Sequence, residues 1–402
     1  MIRKDFHEGI GYSVVEFDGL RQIFATALPC CGDTFAEQAE EVLESLKTIF
    51  HKEGAEASVV MQTVFLHHLA NQADCRRMMR EFYGKDLPAT AYVVQPPCDG
   101  NLLSIEAWGL KGSKDQLGIE RAGEMVLARH RGMTWAYLSN IRGETVADSV
   151  YARSVSAFHS ACVRLSDAGL HFDDVVRTWL YLGNITGAER HTTRYLELNR
   201  ARTDFYRDRT FLAGLLPKEW KRPVFPASTG IGMKGNEVAI GGIAIQSERP
   251  DVVLFPLENP KQTAAYDYAH EYGPDSPKFA RAMALVAGES VTTFVSGTAS
   301  ITASDTRHAD NFERQTQQTL DNIEVLISPD NFRQHGFPGM GAKLDDLALA
   351  RVYLKRPEDY PQARAICQDR LGKLPTIYVV GDICRPELLV EIEAVAFSRR
   401  KS

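Results

Sequence analysis

Glu391 and Glu393 stand two residues apart in the otherwise apolar stretch LLVEIEAVAF, Leu388 to Phe397. If this stretch is a strand, alternation puts both carboxylates on one face and Val390, Ile392 and Ala394 on the other. Carboxylates on such a face are costly without partners, so the face is either wet or lines a site. In an apolar cleft a carboxylic acid can stay protonated near neutral pH, because burial disfavours its charged form, and can then act as a proton donor. Cys384 lies at the mouth of the same strand, next to Arg385. A buried thiol is usually a small apolar filler. Arginine's rigid fork, by contrast, suits a carboxylate.

These residues belong to a unit that the chain repeats. The segment Leu87 to Trp108, LPATAYVVQPPCDGNLLSIEAW, shares with Leu374 to Arg399 a Leu-Pro, a Tyr-Val-Val, a cysteine in the turn and a Leu-Leu shortly before Ile-Glu-Ala. Pro88 precedes Glu106 by 18 residues, as Pro375 precedes Glu393. Upstream of each proline lies a strand-like element, VVMQTVFL at 59–66 and LALARVYL at 347–354, and a third copy, VVRTWLYL, stands at 175–182. Repetition at this period indicates an array of like units, here three domains at 1–115, 125–250 and 262–402.

The expected unit is β-α-β-α-β-β, an α+β layer with helices on one sheet face. In the first repeat this means a strand at 20–28, helices at 35–50 and 72–82, and a closing strand pair. In the second it means a strand at 134–139 and helices at 150–168 and 188–205. In the third it means a strand at 292–301 and helices at 312–326 and 360–371. The uncovered sheet faces can be buried against each other around a pseudo-threefold axis, the covalent counterpart of a homotrimer. Such a chain can be a monomer, its further oligomerisation open, with clefts where neighbouring repeats meet.

Composition agrees with compact domains. The chain has 402 residues, is 44% hydrophobic and 24% charged, and carries a formal charge of −6, which argues against a nucleic-acid footprint. Seven cysteines without a Cys-x-x-Cys pair give no disulfide framework or zinc site and suit a reducing cytoplasm. No long apolar run or signal-like core points to a membrane. His67, His68, His308 and His335 lack partners at ligand spacing. The segment SGTAS at 296–300 is no nucleophile elbow; its small side chains fit a strand edge that ligand or backbone approaches closely. The stretch GFPGMG at 336–341 reads as a turn. No cofactor or metal is expected.

The order of elements, SGTAS and the terminal CRPELLVEIEA resemble the YjgF/Rid superfamily. Over about 130–400 the chain is similar to its chorismatase branch, the repeat at 1–115 being additional. The carrying segments are FARA at 279–282, SGTASI at 296–301, His308, Gln315 and Asn322, RTWLYL at 177–182, NRARTDF at 199–205, PAST at 226–229 and CRPELLVEIEA. The resemblance implies chorismate-mutase-like domains with sites at their clefts, and release of pyruvate from chorismate or a related enolpyruvyl cyclohexadiene carboxylate.

In that picture Glu391 is the acid that protonates the enolpyruvyl group, and Cys384 matches a cysteine associated with hydroxybenzoate-forming members. A dicarboxylate substrate would be held by Arg281 and Arg385, then Arg177, with Arg202 closing the cleft from the second repeat and Ser296 and Thr298 lining it. For each arginine the alternative is an ion pair at a domain interface, and the same holds for Glu391. Glu393 and Glu106 are expected to support the fold by pairing. Position 391 corresponds to Ser104 in the first repeat and to Gly241 or a near neighbour in the second. This places the site between repeats two and three. The alternatives are a Rid-like enamine or imine hydrolase and a non-catalytic small-metabolite-binding pseudo-trimer. Rid deaminases place a carboxylate-binding arginine after proline-alanine, where this chain has Thr90, Ser228 and Ile377.

Overall fold

The computed structural model describes residues 2–7, 9–55, 58–113, 116–143, 149–269 and 273–401. Three six-stranded sheets repeat one topology. The first orders its strands Arg3–His7, Ile10–Phe17, Leu20–Ala27, Leu103–Lys111, Val59–Leu66 and Ala89–Val93. The second reads Leu117–Ala122, Met125–His130, Met133–Ile141, Val238–Ser247, Val175–Gly183 and Ala227–Met233. The third reads Val252–Leu257, Ala282–Ala287, Ser290–Ala299, Val390–Arg399, Leu347–Leu354 and Thr376–Val380. In each sheet only the last pair is parallel. Its crossover carries a helix, Gln72–Tyr83, Arg194–Tyr206 or Tyr360–Leu371, as a parallel connection requires.

The expected β-α-β-α-β-β unit lacked the first two strands of every repeat. Their sequences explain the omission: RKDFH is polar apart from Phe6, AMALVA is rich in alanine, and VVLFPL is apolar without alternation and holds a proline. The helix expected from 188 begins only at Arg194. Ala188–Glu189 and Thr192–Thr193 pair as two short strands, and the Thr193 hydroxyl caps the helix by accepting the Leu196 N–H at 3.3 Å.

One face of each sheet carries helices. In the third domain Leu320, Ile323 and Ile327 of helix Phe312–Ile327 pack on Val291, Val352, Val390 and Ile392. The opposite faces meet in a common core. Trp108 lies 4.9 Å from Phe24 and 6.2 Å from Trp179, and Phe24 lies 5.5 Å from Phe397, so rings from all three sheets touch. The chain is therefore an α+β intramolecular pseudo-trimer.

Four charges are buried in this core. Arg351 donates to both Glu106 oxygens at 2.6 and 2.7 Å, to the Tyr181 hydroxyl at 3.0 Å and to Thr63 Oγ1 at 3.1 Å, and it lies 3.3 Å from Glu393 Oε1. Arg177 donates to Glu393 Oε2 at 2.8 Å and to Thr229 Oγ1 at 2.6 Å, while Trp179 Nε1 donates to Glu393 Oε1 at 2.7 Å. Two cations thus meet two anions, with neutral donors completing the carboxylates. Removing one partner of such a cluster strands a buried charge. Arg351→Met should lower the unfolding free energy in denaturant titrations by about 3–5 kcal/mol, and a loss below about 1 kcal/mol, the scale of an exposed pair, would show that the cluster does not hold the sheets.

Candidate active site

Strand register identifies the equivalent positions. Thr63, Trp179 and Arg351 sit opposite Glu106, Gly241 and Glu393. One pleat outward, Phe65, Tyr181 and Tyr353 sit opposite Ser104, Ala239 and Glu391. The counterpart of Glu391 in domain two is thus Ala239, a near neighbour of Gly241, and Gly241 itself matches Glu393. A bulge between Val295 and Thr298 sets two residues, Ser296 and Gly297, against the single residue Glu393. Domain two has the same irregularity at Ser139 and Asn140.

The bulge decides where the Glu391 carboxyl lies. A Cβ on Gly297 would stand 2.1 Å from Glu391 Oε1 and 2.9 Å from its Cδ, so the carboxyl occupies space that any side chain at 297 would fill. At the matching cleft between domains one and two, Asn140 takes this place with φ of +57°. It accepts from Arg76 at 3.4 Å and Arg142 at 3.3 Å, and Arg76 lies 4.3 Å from the Tyr92 ring centre. The groove between domains three and one is open, about 780 Å³, with Gly11, Thr26, Arg364 and Tyr378 on its walls. There the acid position is Ser104.

Between domains two and three lies a cavity of about 260 Å³ with Glu391 on its wall. That is small beside the roughly 300–1,000 Å³ of drug-sized sites, and it suits a compact metabolite. Glu391 is only 5% exposed. Burial pushes its carboxyl up to about 8, the charge of Glu393 adds to the effect, and Arg177 and Arg281 oppose it. Glu391 is therefore a carboxylic acid at neutral pH. Glu393, on the same strand face, is bonded instead by two arginines and a tryptophan.

Arg202, Arg281 and Arg385 all line the cavity. They alternate with aromatic rings. Phe279 lies 5.7 Å from Arg202 and 5.4 Å from Arg281, and Tyr268 lies 5.5 Å from Arg281 and 5.3 Å from Arg385. The rings fix the guanidinium planes through cation–π contact. Further bonds hold each arginine: Arg202 donates to Asn199 Oδ1 at 2.6 Å, Arg281 to the Thr263 carbonyl at 3.0 Å, and Arg385 to the Ser304 carbonyl at 2.8 Å. Cys384 also lines the cavity, and burial, with the Glu391 charge adding to it, pushes its thiol up to about 12. It remains a thiol rather than a thiolate nucleophile. Tyr195, from the domain-two helix, is its hydrogen-bonding neighbour.

The remaining residues singled out from the sequence lie elsewhere. Arg177 is at the axis, bound to Glu393 and stacked 4.7 Å from Trp179, outside the cavity wall. Ser296 and Thr298 are buried, and Gly297 and Ala299 line the cavity in their stead. Ser296 instead joins the two domains, accepting the Ser228 N–H at 2.8 Å and donating to the Ala280 carbonyl at 2.6 Å. Thr298 Oγ1 donates to the Ser296 carbonyl at 2.9 Å.

Helix Phe312–Ile327 sets the turn and the strand end. Gln315 donates to the Glu387 carbonyl and accepts the Leu389 N–H, both at 2.8 Å, and Asn322 donates to the Ala299 and Ile301 carbonyls at 3.1 and 2.9 Å. Sequence reasoning missed Tyr195, Tyr268 and Phe279 as cavity residues; Phe279 stands in the FARA segment, whereas nothing in pattern or spacing marks the two tyrosines. Among the described residues no group of three or more His, Cys, Asp and Glu side chains could hold a metal, and no helix is long and apolar enough to cross a membrane.

Gly297→Ala should leave the fold intact and displace the Glu391 carboxyl, as read in a crystal structure of the variant. An unmoved carboxyl would mean that the bulge does not seat it.

The sequence matches no family model. It is 36% identical over 229 residues to the 3-hydroxybenzoate synthase of Streptomyces hygroscopicus, covering 56% of this chain and 64% of that protein, so the match spans just under two thirds of that relative. It is 30% identical over 302 residues to a chorismatase of Streptomyces rapamycinicus, covering 72% and 81%. A second chorismatase, from Streptomyces hygroscopicus, is 32% identical over 273 residues, covering 66% and 74%. A chorismatase crystal structure at 1.08 Å resolution superposes on 85% of this chain and 93% of its own with a TM-score of 0.63, at 23% identity.

Proposed function

Since the chain belongs to the chorismatase family, its domains of the YjgF/Rid type, we propose that it releases pyruvate from chorismate or a closely related enolpyruvyl cyclohexadiene carboxylate in the cavity between domains two and three, with Glu391 as the acid. The observation that carries this reading is one buried carboxyl, its pKa raised by burial, on the wall of a cavity lined by three guanidinium groups. The arginines suit a substrate with two carboxylates, and the rings between them suit its unsaturated ring.

In this mechanism Glu391 gives its proton to the terminal methylene carbon of the enol ether, and the electron pair of that double bond forms the new C–H bond. The adjacent carbon becomes an oxocarbenium centre. Glu391, now a carboxylate, lies near Arg281 and Arg177, which favour its charge. In the hydrolytic outcome water adds to that centre and returns a proton to the Glu391 carboxylate, and the resulting hemiketal divides into pyruvate and a dihydroxycyclohexadiene carboxylate. In the aromatising outcome the bond between the ring carbon and the ether oxygen breaks with its electron pair kept by the oxygen, which completes pyruvate, and the ring gives up a proton to the Glu391 carboxylate to become a hydroxybenzoate, with no water consumed. Cys384, a neutral thiol on the same cavity wall, is the residue this reading assigns to the second course.

With purified protein and chorismate, pyruvate release should be measurable, and its absence would remove this reading. Glu391→Gln should lower kcat by about 10²-fold or more, the scale of general acid catalysis, with a smaller change in binding, and undiminished turnover would exclude Glu391 as the acid. Since the protonated form is the active one and burial raises its pKa, the rate should hold at neutral pH and decline as pH rises through about 8. Arg385→Ala should chiefly raise KM by removing charge-assisted bonds. Cys384→Ala should keep pyruvate release and move the ring product from a hydroxybenzoate toward the non-aromatic diol, which chromatography of the products would decide.

A further inference from the structure

A bulge takes its extra residue out of the strand ladder, so the N–H groups of Ser296 and Gly297 must find other acceptors. That of Ser296 donates to the Arg281 carbonyl at 2.9 Å, at the start of the neighbouring strand. That of Gly297 leaves its own domain and donates to Thr229 Oγ1 of domain two at 2.9 Å. The same oxygen accepts Arg177 Nη2 at 2.6 Å, and Nη2 also donates to Glu393 Oε2 at 2.8 Å. A hydroxyl has two lone pairs, and here both are taken. Thr229 is fully buried on strand Ala227–Met233. Its neighbours grip the same part of domain three, the Ser228 N–H donating to Ser296 Oγ at 2.8 Å and the Pro226 carbonyl accepting the Ala280 N–H at 3.1 Å.

We propose that Thr229 is a positioning residue for Glu391: by accepting the Gly297 N–H and the Arg177 guanidinium together, its hydroxyl fixes the bulge beside which the Glu391 carboxyl sits and keeps the Arg177 cation turned to Glu393. This role rests on Glu391 being the acid of the proposed reaction. Pseudo-symmetry separates it from general packing. The equivalent residues Trp179, Thr63 and Arg351 face Thr229, Ala91 and Ile377 across their parallel ladders. Of these three positions only Thr229 carries a hydroxyl, and it stands at the cleft that has both the glycine bulge and the acid. Ala91 belongs to the cleft with Asn140 at the bulge and Ala239 at the acid position. Ile377 belongs to the groove where Ser104 replaces the acid and strands Leu20–Ala27 and Leu103–Lys111 pair without a bulge.

Without the hydroxyl, two donors lose their acceptor at once. Gly297 adjoins the Glu391 carboxyl, since a Cβ on it would stand 2.1 Å from Oε1. Arg177 would have its Nη2 freed beside an Nη1 that is already buried with no hydrogen-bond partner among the described residues. Either donor can then turn to the Glu391 carboxyl, and each favours its charged form. The groups that face Glu391 come from several elements. Glu393 on its own strand opposes its ionisation, whereas Arg177 from domain two and Arg281 from domain three favour it. The Cys384 thiol and the Tyr195 phenol are both pushed up by burial, the Glu391 charge adding to the effect, so they stay neutral. Burial keeps Glu391 protonated up to about 8. Donors released onto it lower that limit, and the proton-donating form is then lost at lower pH.

In the full chain, Thr229→Val keeps the shape of the buried side chain and deletes its oxygen, while Thr229→Ser keeps the oxygen. With chorismate, Thr229→Val should lower kcat for pyruvate release by about tenfold or more, within the cost of misplacing a reacting group, and leave KM little changed. It should also move the alkaline decline of the rate to lower pH by about one pH unit, and Thr229→Ser should restore both. A valine variant with the wild-type kcat and decline, or a serine variant as impaired as the valine one, overturns the proposal. Two measurements need no substrate. In protein carrying glutamate labelled at the carboxyl carbon, the Glu391 resonance, assigned by its loss in Glu391→Gln, should titrate about one pH unit lower in Thr229→Val, and an unmoved midpoint overturns the proposal. The Gly297 amide of the wild type, assigned by its loss in Gly297→Ala, should exchange its hydrogen slowly, and rapid exchange overturns the proposal even if Thr229→Val fails to fold. If the wild type releases no pyruvate while the Glu391 titration shifts as expected, the chorismate reading fails and the positioning of Glu391 by Thr229 stands.

Discussion

Charge balance at the pseudo-threefold axis is the constraint on which the rest depends. Three sheets can bury their inner faces together only if every polar group they carry is answered there, and Arg177 and Arg351 answer Glu106 and Glu393. This uses both arginines of the axis. Glu391 lies one pleat further along the same strand face, where among the described residues no cation is bonded to it, and burial favours its neutral form. The same cluster that joins the domains thus leaves one acid protonated at its edge.

Pseudo-symmetry offers three clefts, and small local differences give them different contents. The cleft between domains two and three combines a glycine bulge with an acid. Its counterpart between domains one and two has an asparagine at the bulge, bridged to Arg76 and Arg142. The groove between domains three and one lacks the acid, since Ser104 replaces it. Three covalently joined domains can diverge in this way, whereas identical subunits of a homotrimer must carry the same residues at every cleft.

The cavity wall also shows why arginine serves here rather than lysine. Phe279 and Tyr268 stand between successive guanidinium groups, and a planar cation can stack on a ring while its edge still presents donors to a carboxylate. An ammonium would be a point charge with no fixed plane. The arrangement is thus rigid before any ligand enters, which limits the entropy lost on binding.

The three-domain plan, the inward-facing sheets and the divergence of the two acids were legible in the sequence, because they rest on periodicity, and periodicity is local: Glu391 and Glu393 share a face whatever surrounds them. The outer strand pair of each domain was not, since RKDFH and AMALVA carry no alternation and become strands only by pairing with a neighbour. Among the arginines, Arg281, Arg385 and Arg202 were found from their segments and do line one cavity. Nothing local, however, distinguishes Arg177 from them, and only the packing of three sheets assigns it to Glu393. The sequence likewise marked SGTAS as a place of close approach. That the group approaching Gly297 is the Glu391 carboxyl, that Ser296 faces the neighbouring domain, and that Tyr195 and Tyr268 complete the wall are consequences of a bulge and a domain interface. Those depend on residues far apart in the chain, so tertiary structure alone decided them.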